Sequence, residues 1–260
     1  MILTVDCGNT QTVIGLYEDP GGSQELIDHW RVATNAERTS DELALLLQEF
    51  LGFHGYRFEV DVNGLAVSSG VPRVTAALRE MGQRYFGSAP LVIIEPGVKT
   101  GLPILYDNPR EVGADRIANA VGALLHHEPP IVAVDFGTAT TFDAISAKGE
   151  YLGGAIVPGI EISLDALFSR AARLPRVELT EPRSVIGRTT VESIQSGAVY
   201  GYSALVDGLV DRMLAELGEA TVLATGGLSG TIGPLCRTIQ YLEPWLTLDG
   251  LREIFERNLP

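Results

Sequence analysis

The chain has 260 residues, and 19 Lys and Arg against 33 Asp and Glu give a formal charge of −14 at pH 7. With 45% hydrophobic and 20% charged residues, the composition is that of a globular chain with ample material for a core, and it excludes a disordered one. So acidic a surface repels phosphate backbones, so no nucleic-acid partner is expected.

No apolar run reaches the ~18 residues of a membrane span, and Met1 to Asp6 reads as a first strand rather than a signal peptide. A cytoplasmic protein with no membrane partner is therefore expected. Cys7 and Cys236 are too few for a disulfide framework and are expected as buried free thiols.

Ile2–Val5 and Thr12–Tyr17 are short β-branched runs separated by the turn residues Cys7 to Thr10, with Leu26–Val32 as a third strand. The acidic run Glu37 to Glu42 reads as the start of a helix capped by Thr39 or Ser40, its apolar face running through Leu43, Leu46, Leu47, Phe50 and Leu51. Gly64–Ser68 is expected as a strand, Val71–Tyr85 as a helix, Leu91–Ile94 as a strand and Gly113–Leu125 as a helix opened by an acid. Ser68-Ser69-Gly70 can cap the helix at Val71; no base stands beside it in sequence, so no serine nucleophile is assigned. His126 and His127 point in different directions on a helix and read as a solvated helix end; His29 and His54 read as surface or packing residues.

The opening then repeats. Ile2 to Thr12 aligns with Ile131 to Thr141 at a constant offset of 129, almost half the chain, with Ile, Val, Asp, Gly and Thr matching at 2/131, 5/134, 6/135, 8/137 and 12/141. Each copy is a buried strand, an acid at its end, a glycine turn and a returning strand. We read an internal duplication: an α/β chain of two similar domains, 1–128 and 129–260, divided near Pro129-Pro130 with a cleft between them. Thr141–Ile145 and Tyr151–Val157 continue the second copy as strands. Ile160–Leu174 and Thr190–Leu217 read as helices, the latter with Gly197 and Gly201 placed for close packing on a neighbour. Thr221–Ala224 is a strand running into Thr225-Gly226-Gly227, with a helix to follow.

These motifs permit a specific chemistry. In Asp6-Cys7-Gly8-Asn9-Thr10 the glycine lets backbone amides and a hydroxyl approach a phosphate, and the acid can hold Mg²⁺, a hard cation that favours oxygen ligands. Asp135-Phe136-Gly137-Thr138 offers the same arrangement, and the strand ending in Gly226-Gly227 leaves a side-chain-free surface suited to adenosine. One such hairpin alone is an ordinary turn; two in register, followed by the Gly-Gly segment, describe a nucleotide site.

The three elements resemble the actin, sugar-kinase and heat-shock-chaperone ATPase superfamily, whose duplicated ribonuclease-H-like domains, mixed sheets flanked by helices, enclose ATP. Further segments resemble the type III pantothenate kinases: Tyr106-Asp107-Asn108-Pro109, Gly113-Ala114-Asp115-Arg116, Asp135 to Thr141, Gly153-Gly154-Ala155-Ile156-Val157-Pro158-Gly159, and Gly187 to Gly197 with its Gln195-Ser196-Gly197. The resemblance runs from the first strand to Gly227, and Gly-Ala-Asp-Arg with Gln-Ser-Gly is its most specific part.

It implies phosphorylation of pantothenate by ATP, the first step of coenzyme A synthesis, in a homodimer. It further implies Asp115 as general base; Asp6, Cys7, Gly8, Asn9, Thr10, Gln11, Thr12, Val13 and Thr138 as ATP contacts, with Mg²⁺ bound through ATP at Asp6; Asp135 as the site of K⁺ or NH₄⁺; and Tyr106, Gly113, Ala114, Asp115, Arg116 and Thr190 as pantothenate contacts. Where the family is expected to read Gly-(Lys/Arg)-Asn-Thr, this chain has Gly187-Arg188-Thr189-Thr190, a departure that bears on hydrogen bonding in the loop and on substrate affinity. Two other readings fit the hairpins: a sugar or acetate kinase or polyphosphate hydrolase of the same superfamily, which does not need both specific segments, and a non-catalytic regulatory relative, against which the acids at 6, 115 and 135 argue.

Overall fold

The computed structural model describes residues 1–19, 25–87, 89–171 and 173–259. Its first sheet contains β1 (Ile2–Cys7), β2 (Gln11–Tyr17), β3 (Leu26–Ala33), β4 (Gly64–Ser69) and β5 (Leu91–Ile93) in the order β3-β2-β1-β4-β5. The first three strands form an antiparallel meander, and β4 and β5 run parallel to β1. The second sheet contains β6 (Ile131–Phe136), β7 (Ala139–Ile145), β8 (Tyr151–Pro158), β9 (Thr221–Thr225) and β10 (Tyr241–Leu242) in the order β8-β7-β6-β9-β10, with the same directions. The duplication visible in two hairpins thus extends to every strand of both sheets.

It is not perfect in register. Cys7 faces Thr12 in the first hairpin, whereas Phe136 faces Thr140 in the second, so the second turn is one residue shorter. The sequence match of Thr12 with Thr141 therefore slips beyond the turn: the positional counterpart of Thr12 is Thr140.

In the first unit, alternation along β1, β2 and β4 sends Leu3, Val5, Ile14, Leu16, Leu65 and Val67 to one face. There they pack with α1 (Ser40–Gly52) and α3 (Pro72–Tyr85) through Leu43, Leu47, Val74 and Leu78. Thr39 caps α1 as expected, in a reciprocal box: its hydroxyl accepts from the Glu42 amide at 3.3 Å and its own amide donates to Glu42 Oε2 at 2.8 Å. A short α2 (Phe58–Asp61) follows. The other face receives a helix that the sequence reading did not anticipate, α8 (Leu246–Arg257), in contact with β1, β2 and β4. Tyr17 donates to Asp249 Oδ1 at 2.7 Å, and Gly64 leaves the space that the Phe255 ring occupies. Helix α4 (Ala114–His126) meets α8 where Gly122 and Gly250 let the backbones approach, and Thr247 donates to Asn119 Oδ1 at 2.6 Å.

The second unit is built around Val132, Val134, Phe136 and Phe142, packed against Val199, Val206 and Val210 of α6 (Thr190–Leu217). Here α5 (Ile160–Arg170) ends short of the expected Leu174, and α7 (Ser229–Ile232) is the short helix expected after the Gly-Gly segment. Both cysteines are buried and free; burial, with the nearby Asp207 charge, pushes the Cys236 thiol up to about 12.

The compact units depart from the expected division at 128/129. The first comprises Met1–Leu102, Asp107–Leu125 and Leu246–Pro260; the second comprises Pro103–Tyr106 and His126–Trp245. The C-terminal segment returns to the first unit because α8 covers the first sheet. Gly197 and Gly201 also differ from expectation: a methyl group at either meets nothing within 4 Å among the described residues, so no neighbour in the chain packs there. No helix among the described residues is long and apolar enough to cross a membrane.

Candidate active site

Asp6 is the penultimate residue of β1, opposite Val13 of β2 and in register with Ser68 of β4. The turn beyond it is closed by the Gly8 amide donating to the Gln11 carbonyl at 3.0 Å, and a methyl group at residue 8 would stand 3.1 Å from that oxygen. Thr34, just past β3, ties the turn down. Its hydroxyl donates to the Gly8 carbonyl at 2.7 Å and shares a 2.8 Å bond with Thr12 Oγ1, while its amide donates to the Thr10 carbonyl at 3.0 Å. Cys7 and Thr12 are buried beneath the turn, 3.5 Å apart, whereas Asn9, Thr10 and Gln11 are exposed. The result is a fixed turn with an open outer surface, the form a phosphate cradle requires.

Asp135 holds the equivalent place at the end of β6, opposite Thr141 and in register with Thr225 of β9. Two glycines distant in sequence close on its turn. The Gly159 amide donates to the Thr138 carbonyl at 3.0 Å, and a side chain at 159 would strike the carbonyls of Gly137 and Thr138. Tyr202 of α6 donates to the Pro158 and Gly159 carbonyls at 2.9 and 3.2 Å, bracing that contact. Gly226 has φ +90°, and a methyl group there would collide with Asp135 Oδ1 and lie 2.7 Å from the Phe136 nitrogen and oxygen. The segments Gly153–Gly159 and Thr225–Gly227, distinguished in the sequence as motifs, thus meet at the second acidic turn.

Asp115 lies exposed in the first turn of α4, where Oδ1 accepts from the Arg116 amide at 2.9 Å; a side chain at Gly113 would run into that oxygen. Gly113 and Ala114 are half-buried and Arg116 is buried. These residues belong with Asp6–Val13 to the first unit, whereas Tyr106, Asp135, Thr138 and Thr190 belong to the second. Tyr106 packs against Gly153, whose φ of +121° and missing side chain leave space for the ring, and the segment is pinned to β8 by the Leu105 amide on the Tyr151 carbonyl at 2.8 Å. Thr190 is exposed at the start of α6.

The departure at Thr189 has a structural answer: Thr189 is the N-cap of α6, its hydroxyl accepting from the Glu192 amide at 3.1 Å. Asn and Thr both serve that role. Two histidines have structural partners, His54 against Asp28 at 2.6 Å and His127 against Glu243 at 2.7 Å with its ring beside Tyr241, so His127 is half-buried rather than part of the expected solvated helix end.

Comparison with known proteins decides the family. The sequence profile of the type III pantothenate kinases matches residues 2–212. The chain is 52% identical over 266 aligned residues to the type III pantothenate kinase of Streptomyces avermitilis, covering all of this chain and 99% of that one. The chain belongs to the type III pantothenate kinase family. Two solved structures share its fold: a conserved Baf family transcriptional activator from Campylobacter jejuni, TM-score 0.59 at 19% identity over 98% of both chains, and an archaeal actin homologue, TM-score 0.55 at 13% identity over 99% of both.

The fold is therefore actin-like, as the paired hairpins imply. A type III pantothenate kinase uses ATP with a divalent cation, and the residues here fit both. In the first unit the Gly8 turn presents the exposed Asn9, Thr10 and Gln11 on its outer side, and a buried hydroxyl without a partner, Ser68, stands in register with Asp6. Among the described residues no three His, Cys, Asp or Glu gather as a ready cation site. A cation at Asp6 would thus draw its other ligands from water and phosphate, as Mg²⁺ does.

Proposed function

We propose a division of labour for the reaction of this type III pantothenate kinase, transfer of the γ-phosphoryl group of ATP to the primary hydroxyl of pantothenate at the first step of coenzyme A biosynthesis. Asp115 accepts the proton of that hydroxyl as its oxygen bonds to the γ-phosphorus and the bond to the β–γ bridging oxygen breaks, releasing ADP. Asp6 to Val13 and Thr138 hold ATP; Tyr106, Gly113 to Arg116 and Thr190 hold pantothenate. The nucleophile is the substrate's own alcohol, so no covalent enzyme intermediate forms, and the protein's contribution is orientation and charge neutralisation.

The observation that carries this reading is the posture of Asp115. Its Oδ1 is held by the Arg116 amide at 2.9 Å, and Gly113 presents no side chain over it. Oδ2 is the atom that takes the proton.

Asp6 holds the divalent cation, which when bound neutralises charge on the phosphates. Asp135 takes K⁺ or NH₄⁺, for which the carboxylate and the neighbouring carbonyls of Gly137 and Thr138 are oxygen donors. The enzyme works as a cytoplasmic homodimer. The open faces of Gly197 and Gly201 on α6, and the exposed Val185 and Ile186, at 65% and 81%, support a second copy there.

The test is ADP release with and without pantothenate, in potassium and then in sodium buffer, for the wild type and Asp115→Asn. Loss of a positioned base costs about 10²–10⁴-fold in turnover, so Asp115→Asn is expected to fall in that range while ATP affinity holds. Near-normal turnover in the variant removes Asp115 from the role of base, and equal rates in the two buffers remove the cation from Asp135.

A further inference from the structure

Beside Asp6 the first sheet holds a hydroxyl with nothing to bond. Ser68 is the residue of β4 in register with Asp6, so the two side chains leave the same face of the sheet at the same level. It is 1% exposed, and its Oγ has no hydrogen-bond partner. Ser69 is different: its hydroxyl accepts from the Val71 amide at 3.2 Å and donates to the Val71 carbonyl at 3.3 Å, a purely local role.

On the face that Ser68 shares, β4 otherwise carries Gly64 and Ala66. Alanine at 68 would continue that series with no polar group left unmet. An unmade buried hydroxyl costs on the order of 1–3 kcal/mol, and native proteins leave few of them. The placement of a buried hydroxyl residue beside the acid also recurs. In the second sheet Thr225, likewise 1% exposed, is in register with Asp135 at the same place in the strand order. Each strand-end acid therefore has a buried hydroxyl residue at its side, although the sequence repeat that revealed the acids does not include either one.

We infer that Ser68 is a positioning residue for Asp6: its hydroxyl finds its partner in a water of the divalent cation's shell when the metal–nucleotide complex arrives. This rests on the nucleotide role proposed for Asp6 to Val13. Ser68 contributes no charge and takes no proton. It orients an oxygen ligand that Asp6 also addresses, and the bond it lacks in the free protein is the bond it makes in the complex.

The experiment is calorimetric titration of the full chain with a non-hydrolysable ATP analogue, from excess chelator to millimolar Mg²⁺, for the wild type and Ser68→Ala. The expected result is a rise of about fivefold in the Mg²⁺ concentration for half-maximal nucleotide affinity, the weight of one net hydrogen bond. Affinity in chelator is expected to be unchanged, and the melting temperature no lower than wild type, because no bond of the free protein is removed. An unchanged Mg²⁺ dependence overturns the inference, as does an equal loss with and without Mg²⁺, which would assign the hydroxyl to a phosphate oxygen instead. Should the alanine variant not fold, Ser68→Cys keeps a side chain of similar shape with a far weaker donor and is read the same way. A wild type that binds no nucleotide at any Mg²⁺ concentration would overturn the nucleotide site itself, and this inference with it.

Discussion

Gly226 joins two parts of the chain that no local pattern connects. At φ +90° it occupies backbone space that side chains adopt only under strain, and its missing Cβ is the space taken by Asp135 Oδ1 and the Phe136 backbone. Gly226→Ala meets both penalties at once. Backbone strain of this kind costs about 1–3 kcal/mol, and the collision is with main chain, which cannot swing aside as a side chain would. The expected outcome is a stability loss of at least that size in chemical denaturation, together with weaker ATP binding, since the turn from Asp135 to Thr138 must shift. A variant with wild-type midpoint and affinity would show that the contact is dispensable. At this scale the sequence announced the acids and the glycines separately, because each sits in a local turn composition. That Gly159 and Gly226 close on the Asp135 turn, and that Ser68 stands beside Asp6, depends on strand register, which a single sequence does not display.

Among the elements, α6 is the most legible. Its expected span, Thr190–Leu217, is its observed span because both ends carry strong local signals: Thr189 as N-cap and Gly218, at φ +86°, as the stop. The cap is reinforced from the loop. Arg183 and the Arg188 amide both donate to the Glu192 carboxylate and, the guanidinium foremost, hold it below the usual carboxylate range. Thr189→Ala is expected to cost about 1 kcal/mol, read as a shifted denaturation midpoint with an unchanged m-value, and to raise KM for pantothenate because Thr190 follows directly. Thr189→Asn, which restores the residue type the family pattern leads one to expect, should be near neutral in stability. If the alanine and asparagine variants behave alike, the cap is not what position 189 supplies. By contrast α8 escaped the reading, although Leu248, Leu251, Ile254 and Phe255 are all buried along it. No acid, glycine turn or family motif drew attention to a second helix beyond α7, and nothing local says that a C-terminal helix must return to the first sheet.

For the whole molecule, the duplicated topology explains why two short hairpins were enough to read the architecture: each acid ends the central strand of its sheet, and of the other strands around the two acids only the two-residue β10 went unread. What a lone chain leaves open is the face of α6. A glycine inside a helix costs about 1 kcal/mol relative to alanine, and α6 carries Gly197, Gly201 and Gly208, all with open space before them. Nothing within the described chain compensates for those three residues, whereas a second copy packed closely on the helix would. Sedimentation equilibrium of the wild type at micromolar concentration is expected to give the mass of a dimer, and Gly201→Leu the mass of a monomer with unchanged far-UV circular dichroism. The monomeric variant should also show a raised KM for pantothenate, since Thr190 begins the same helix. If instead the wild type sediments as a monomer and Gly201→Ala merely raises the melting temperature, the glycines are a tolerated local weakness and the dimer is excluded. A leucine variant that remains dimeric would place the contact elsewhere on the surface, with the exposed Val185 and Ile186 as the next residues to substitute.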